Sequence, residues 1–391
     1  MSNTVIDNVV DYISTIQLIS KECAYSTLIK SSEDDELQFM QNIDTYKSII
    51  NEKYMNKLSI DAEDKQKYLK YINNYYKANN AEHLSKLTSL LDFDDEQAFL
   101  QNINKNIKTN YNINNFPQVI ENHCEFFYRG LYRSSYLLGP SVFRDNNWQK
   151  EDYFYHEIMV RCPEKFQYSS HLDKLVMMQH YGCPTRLLDI TSNPLVALYF
   201  ACKDFGASKS SPSRQGTVYI FPVLKNDIAY ADSDKALMLA CLPKFSNKDK
   251  LQLYEQCNDR INEDNFIQIR GGSRYMNDVV EHFYHEITTE APSFKREIKP
   301  IDLLRPLIVQ PNKSNGRILK QDGAFILSGL SNNEREAYDK IGNISCKILT
   351  IRNQESILEE LEQLGIHEAS LFPEVDKVAN YLRERSKVTT F

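Results

Sequence analysis

Residues 177–201, MMQHYGCPTRLLDITSNPLVALYFA, constrain the fold more than any other stretch of the chain. Asn193 followed by Pro194 must start a helix: the Asn side chain accepts from free backbone N–H groups, and Pro has no N–H to leave unpaired in the first turn. Upstream, Gly182, Pro184 and Thr185 form a tight turn, and Gln179, His180 and Tyr181 end a preceding helix. Thr191, Ser192 and Asn193 therefore sit at a helix N-terminus, where hydroxyls, free N–H groups and the dipole can receive an anion such as a phosphate. The same three residues can simply cap the helix. Arg186 and Asp189, three apart around Leu187-Leu188, are expected to form a salt bridge that locks the loop. His180 can bind substrate or exchange a proton near neutral pH, or it can be structural.

Composition narrows the function classes. At 391 residues the chain is long enough for two or three units, and 42% hydrophobic with 25% charged residues excludes global disorder. Only 12 Gly are present, and neither a G-x-G-x-x-G nor a G-x-x-x-x-G-K-[ST] loop occurs. A net charge of −7 argues against a chain that coats phosphate backbones along its length, so a nucleic acid enters only as a substrate. The start MSNTVIDNVVDYI lacks a basic segment before an apolar run, and nothing approaches the roughly 18 apolar residues of a membrane span. A cytoplasmic chain without a membrane partner is expected. Eight scattered Cys without a C-x-x-C pair fit core residues and thiols in a reducing compartment.

Residues 1 to about 110 contain no Pro and repeat apolar positions at three and four, a helical texture. Val5, Val9, Tyr12, Ile13 and Ile16 mark one amphipathic helix; Tyr68 to Tyr76 and Leu84 to Leu91 mark others. Residues 31–100 hold 14 Asp and Glu against 8 Lys and Arg, an excess of 6 negative charges that is most of the chain's −7. This acidity reads as the solvated face of a helical bundle, with a docking surface for a protein partner as the sharper alternative. From Phe116-Pro117 the texture changes. Strands are expected at 124–130, 216–223, 307–310, 323–327 and 346–351, and helices at 172–180, 194–204, 273–289 and 354–364, the last capped by Asn353 and ended by Gly365. The stretch 208–216 reads as a loop.

A second cluster is FFYRG, 126–130, followed by SSYLLGPSVFR, 134–144. On an apolar strand Arg129 needs an anionic partner or solvent, and Gly130 lets the backbone approach closely whatever the Arg holds. Arg129 is thus a candidate clamp for a phosphate or a dinucleotide, with Arg144 a possible second cation. HFYHE, 282–286, offers His282 and His285 three apart on one helix face, a rival metal reading. A metalloprotease helix spaces its His by four, and no third ligand is evident, so no metal is assigned.

These residues together resemble the FRG domain family, named for a Phe/Tyr-Arg-Gly motif. The resemblance rests on Tyr128-Arg129-Gly130, on LGPSVFR, on QHYGCPTRLLDITSNPLVALYFA, on Arg317, Gln321, Gly323 and Phe325 in an R-x-x-x-Q-x-G-x-F pattern, and on the closing SILEELEQLGIHEASLFPEVDKVANYL. Where the family commonly has Gln after the Arg-Gly, this chain has Leu131. The resemblance implies an FRG domain over 116–391 with its first helix at 1–23, and residues 24–115 as an acidic helical insertion.

The layout is also similar to that of ADP-ribosyltransferases: a strand with Arg-Gly, a Thr-Ser before a helix with Ala-x-x-Phe, and a polar residue on a later strand. What this implies is an α+β fold, a mixed or antiparallel split sheet with flanking helices beside an all-α N-terminal module. The catalytic candidates are Arg129, Thr191, Ser192 and Gln321, and NAD is the co-substrate. Residues implied around the nucleotide are Arg129, Gly130, Gln179, His180, Tyr181, Thr185, Arg186, Asn193 and Phe325. Gln321 stands where such enzymes hold a Glu and cannot supply its charge to a developing cation. Another carboxylate such as Glu286, Glu290 or Glu297 then serves, or the site binds without transferring. The implied activity is that of an NAD-consuming effector in a toxin or phage-defence setting, with a non-catalytic module sensing a nucleotide or partner as the alternative.

Overall fold

A computed structural model of the chain describes residues 4–30, 124–167, 169–203, 215–259, 274–295, 298–313, 315–344 and 346–388. The expected helices at Tyr68 to Tyr76 and Leu84 to Leu91 lie outside the described residues, as do Glu297 and most of the 208–216 loop. The chain divides into two compact units, Met1–Ile16 with Phe126–Phe391, and Gln17–Glu125.

Among the described residues, eight strands form one mixed sheet in the order β1-β8-β4-β2-β3-β7-β6-β5. They are β1 (Thr4–Ile6), β2 (Cys124–Leu131), β3 (Leu187–Thr191), β4 (Gly216–Leu224), β5 (Ile228–Tyr230), β6 (Leu307–Gln310), β7 (Gly323–Leu327) and β8 (Lys347–Ile351). β1 runs parallel to β8 and β5 parallel to β6, whereas β2 with β3, β3 with β7, β4 with β8 and β6 with β7 are antiparallel. The helices are α1 (Val9–Lys30), α2 (Glu151–Arg161), α3 (Pro163–Phe166), α4 (His171–His180), α5 (Pro194–Cys202), α6 (Asp234–Cys241), α7 (Asn247–Asn258), α8 (Arg274–Glu290), α9 (Pro300–Leu304), α10 (Gly316–Lys320), α11 (Glu334–Gly342), α12 (Gln354–Gln363), α13 (Glu368–Leu371) and α14 (Val375–Val388).

Strand alternation sends neighbouring residues to opposite faces, and both faces of this sheet are covered. Leu187, Val309, Phe325 and Leu327 join a large core with Leu172 and Leu175 of α4, Leu239 of α6, Leu253 of α7 and Phe283 of α8. Leu188, Ile190, Ile308, Ala324 and Ile326 join a smaller one with Phe127, Phe221 and Ile341. A strand covered on both sides loses its polar alternation, and GTVYIFPVL of β4 is buried at all but Tyr219.

Three expectations need correction. Val5 does not begin a helix: it lies in β1, and α1 starts at Val9, where the Asn8 Oδ1 accepts from the Asp11 N–H at 2.8 Å. Three residues of edge pairing with β8 use the apolar TVI before that cap. Asn353 does not cap α12 through its side chain; it adopts φ 48° and forms no such bond. Gly365 takes φ 79° just past that helix, the left-handed conformation that ends helices. Arg186 and Asp189 do not pair. Three apart suits a helix surface, but LLDIT is a strand, and each finds a different partner.

Arg186 sits in a buried triad. Its Nε and Nη2 donate to Glu151 Oε1 and Oε2 at 2.9 and 2.5 Å, its Nη1 donates to the Ser328 carbonyl at 3.0 Å, and Lys250 Nζ donates to Glu151 Oε2 at 2.7 Å. Burial alone would raise the Glu151 pKa, but Arg186 and Lys250 more than offset it and bring it to about 2. The triad ties α2 and α7 to the end of β7.

No described helix is long and apolar enough to cross a membrane.

Candidate functional site

β2 and β3 meet at a single residue pair, Tyr128 opposite Thr191. Where they part, a cleft of about 240 Å³ opens. Its walls come from β2 (Tyr128, Arg129, Gly130), α4 (Gln179, His180), β3 (Asp189, Thr191), α5 (Val196, Ala197, Phe200), α10 with its flanks (Asn315, Arg317, Gln321), β7 (Gly323, Phe325) and Phe372.

Arg129 fills the gap between the strands. Its Nη1 donates to the Asp189 carbonyl at 2.5 Å and lies 3.5 Å from Asp189 Oδ2, taking the place of a strand-to-strand bond. Burial lowers its pKa below the ordinary value, the Asp189 carboxylate opposes that in part, and the Arg144 charge adds to it. Among the described residues, Arg129 Nε is buried without a hydrogen-bond partner. Such a donor is costly to leave unmade.

Asp189 is oriented by a relay. The Thr185 hydroxyl donates to Gln179 Oε1, which fixes the amide, and Gln179 Nε2 donates to Asp189 Oδ1 at 2.7 Å. The Asp189 side chain remains 62% exposed. It is the only acidic residue among the described residues that line the cleft.

The opposite wall is a charged and aromatic group. Arg317 donates to Glu374 through Nε at 3.0 Å and pairs with it through Nη2 at 2.8 Å, and its guanidinium lies 5.0 Å over the Phe372 ring. His180 Nε2 lies 3.8 Å from Glu374 Oε1, and His180 Nδ1 lies 3.4 Å from Asn315 Nδ2. Burial lowers the His180 pKa, the Arg317 charge lowers it further, and Glu374 works the other way.

The Thr191-Ser192-Asn193 turn leads from β3 into α5 and is hydrogen-bonded to the segment just before β7. The Thr191 hydroxyl donates to the Gln321 carbonyl at 2.6 Å and accepts from the Asn193 N–H at 2.9 Å. The Ser192 N–H donates to the Asp322 carbonyl at 3.0 Å, and Asn193 Oδ1 accepts from the Leu195 N–H at 3.0 Å, capping α5. Gln321 Nε2 donates to the Leu371 carbonyl at 3.1 Å. Gly130 serves packing: a Cβ there would lie 1.8 Å from the Ala197 carbonyl oxygen, so α5 can rest on β2 only at a glycine.

Of the sequence candidates, Arg129, Gly130, Gln179, His180, Thr191, Gln321 and Phe325 line the cleft. Thr185 stands behind Gln179. Ser192 and Asn193 form the turn beside the cleft, and Tyr181, 60% exposed, packs its ring against His180. Arg186 is held away in its triad, while Arg144 Nη2 reaches the Gly139 carbonyl at 3.4 Å. Glu286 is held by Lys244 and His282, and Glu290 Oε2 accepts from the His171 N–H at 2.7 Å; neither lines the cleft. No group of three or more His, Cys, Asp or Glu among the described residues could hold a metal ion.

Sequence reasoning missed Asp189 as a cleft carboxylate, and it missed Glu374, Phe200 and Phe372. A signal for Asp189 was present: an acid inside the apolar run LLDIT, if that run is a strand, must emerge at an opening or carry a partner.

Residues 124–210 match the FRG domain family. That stretch supplies β2, α4, β3 and α5, and hence one side of the cleft. No curated protein and no solved structure matches the chain.

Proposed function

The chain carries an FRG domain, and from that premise we propose that its cleft binds NAD and cleaves the bond between nicotinamide and ribose, as an ADP-ribosyltransferase-like effector in a bacterial toxin or phage-defence setting. The observation that supports this reading is convergence. Arg129, Thr191 and Gln321, on three separate segments, line one cleft at the point where two strands part. Gln321 stands at the C-terminal end of α10, two residues before β7, and not on the strand where the transferase layout holds its polar residue.

The residues present fit a nucleotide. Arg129 Nε is a buried donor that a ligand oxygen would satisfy. At about 240 Å³ the cleft is below the roughly 300–1,000 Å³ of typical ligand pockets, room for the nicotinamide ribose but not for the whole dinucleotide. A neighbouring hollow of about 250 Å³, bordered by Phe200, Arg317, Glu368, Phe372 and Lys377, shares three of its walls and can take the remainder. The acidic 24–115 stretch, read as a helical insertion, is the place we assign to a protein partner.

The test is incubation of the purified chain with NAD and a cell lysate, following nicotinamide release and transfer of label. The expected result is release by the parent and none by an Arg129→Ala variant with the parent's circular dichroism. A silent parent that nevertheless binds NAD would favour the second reading, a sensor. One observation favours that alternative: both cleft arginines already face a carboxylate, Arg129 with Asp189 and Arg317 with Glu374, pairs that a ligand could reorganise without chemistry.

A further inference from the structure

We propose that Asp189 is the general base of this cleft, taking the proton from the hydroxyl that attacks C1′ of the ribose. The inference rests on the NAD reading above. In the step, the C1′–N bond breaks with its electron pair passing to the pyridinium nitrogen, which leaves as neutral nicotinamide. A water or an acceptor hydroxyl forms the new C1′–O bond, and its proton passes to Asp189 and then to solvent. NAD and water thereby give ADP-ribose, nicotinamide and one proton, with no further reactant.

Three observations point to Asp189. It is the only acidic residue among the described residues lining the cleft. Its carboxylate is held at both oxygens, Oδ1 by Gln179 Nε2 at 2.7 Å and Oδ2 by the longer approach of Arg129 Nη1 at 3.5 Å, while 62% of the side chain stays open. A general base needs this combination of a held geometry and a free lone pair within reach of a hydroxyl. Finally, a relay orients that carboxylate: the Thr185 hydroxyl, which also accepts from the Leu187 N–H at 3.3 Å, donates to Gln179 Oε1 and so turns the amide N–H₂ toward Asp189.

His180, which also lines the cleft, faces Glu374 at 3.8 Å through Nε2 and Asn315 at 3.4 Å through Nδ1. Gln321 spends its amide N–H on the Leu371 carbonyl and carries no charge. Glu374 meets Arg317 and His180 through Oε1 alone and does not line the cleft among the described residues. Gln179 is therefore a positioning residue, acting through Asp189.

The test measures nicotinamide release from NAD, and separately the affinity for ADP-ribose, in the parent and in Asp189→Asn, Asp189→Ala and Gln179→Met. Asp189→Asn, which keeps the shape and removes the charge, should lower kcat by about 10² to 10⁴-fold and leave ADP-ribose affinity unchanged. Added formate should restore part of the turnover of Asp189→Ala, which a purely structural role would not permit. Gln179→Met should lower kcat by up to about 100-fold with KM unchanged. Parental kcat in Asp189→Asn overturns the assignment while the NAD reading stands; so does a fall confined to affinity. A parent that releases no nicotinamide overturns the NAD reading itself, and this assignment with it.

Discussion

Gly130 shows how a motif residue can be fixed by packing while its neighbour serves the site. A methyl group at this position would lie 1.8 Å from the Ala197 carbonyl oxygen and 2.6 Å from the Ala201 nitrogen, both backbone atoms of α5. Backbone cannot rotate out of the way, so Gly130→Ala should destabilise the fold by about 1–3 kcal/mol or more, read as a lower urea midpoint. A parental midpoint would mean that α5 is not seated on β2 as described. The Glu151 triad gives a second residue-scale prediction. Glu151→Gln leaves Arg186 and Lys250 buried without their counter-charge, which costs about 3–5 kcal/mol when one partner of a buried pair is removed. Its pH dependence has a fixed sign. The folded pKa, about 2, is below the ordinary 4.5, so the stabilisation is complete above about 4.5 and is lost as pH falls through about 2, on the order of 3 kcal/mol in all. Urea titrations at pH 7 and pH 3 should show the gap between parent and Glu151→Gln narrowing at the lower pH. A gap that widens would contradict the assignment. Arg129 was legible in the sequence because a cation beside aromatic residues on a strand demands a partner. Which partner was not legible, since the Arg186 and Asp189 spacing suggested a pair that an extended chain pulls apart.

The same difference between helix and strand spacing governs the elements. Helices α4 and α5 carry side-chain caps at Ser170 and Asn193, α5 has a Pro in its first turn, and α12 ends at Gly365, so their positions follow from local punctuation. β4 and β7 are apolar runs bounded by Gly216 and Gly323. β3 has neither advantage: it is short, it holds an Asp at its centre, and its identity depends on β7, whose Leu327 to Gly323 pair with its Leu187 to Thr191. β1 and β5 are three-residue edges recruited by β8 and β6, a tertiary effect that local pattern does not contain. The turn after β3 is where element and site meet. Asn193→Ala removes the α5 cap and should cost about 1 kcal/mol. Thr191→Val removes a hydroxyl that both donates to the Gln321 carbonyl and accepts from the Asn193 N–H. It should cost about 1–3 kcal/mol through the two unpaired groups, and it should raise KM for NAD if the turn shapes the cleft. A Thr191→Val chain with parental stability and parental KM would place the turn outside both roles.

At the scale of the molecule, the cleft is assembled from distant parts of the sequence, and what lies between them in the chain need not belong to it. Among the described residues, those that line the cleft all fall between 128 and 372. The first helix reaches the same body through Tyr12, fully buried, whose hydroxyl donates to the Pro194 carbonyl at 2.9 Å, and through the Val9 N–H, which donates to Glu360 at 2.8 Å. β1 adds an edge strand beside β8. The unit that contains Met1–Ile16 and Phe126–Phe391 is thus closed by its own N-terminal segment. A chain in which residues 24–115 are replaced by a long flexible linker should therefore keep a single cooperative unfolding transition and, under the proposed function, bind NAD as the parent does. Loop-closure entropy grows only slowly with length, so the exchange of one connection for another is a small term beside the buried sheet. If the acidic stretch docks a protein partner, the shortened chain should lose that partner while keeping nicotinamide release, which separates recruitment from chemistry. Loss of the cooperative transition would instead show that residues 24–115 are part of the fold that holds the cleft, and the insertion reading would fall.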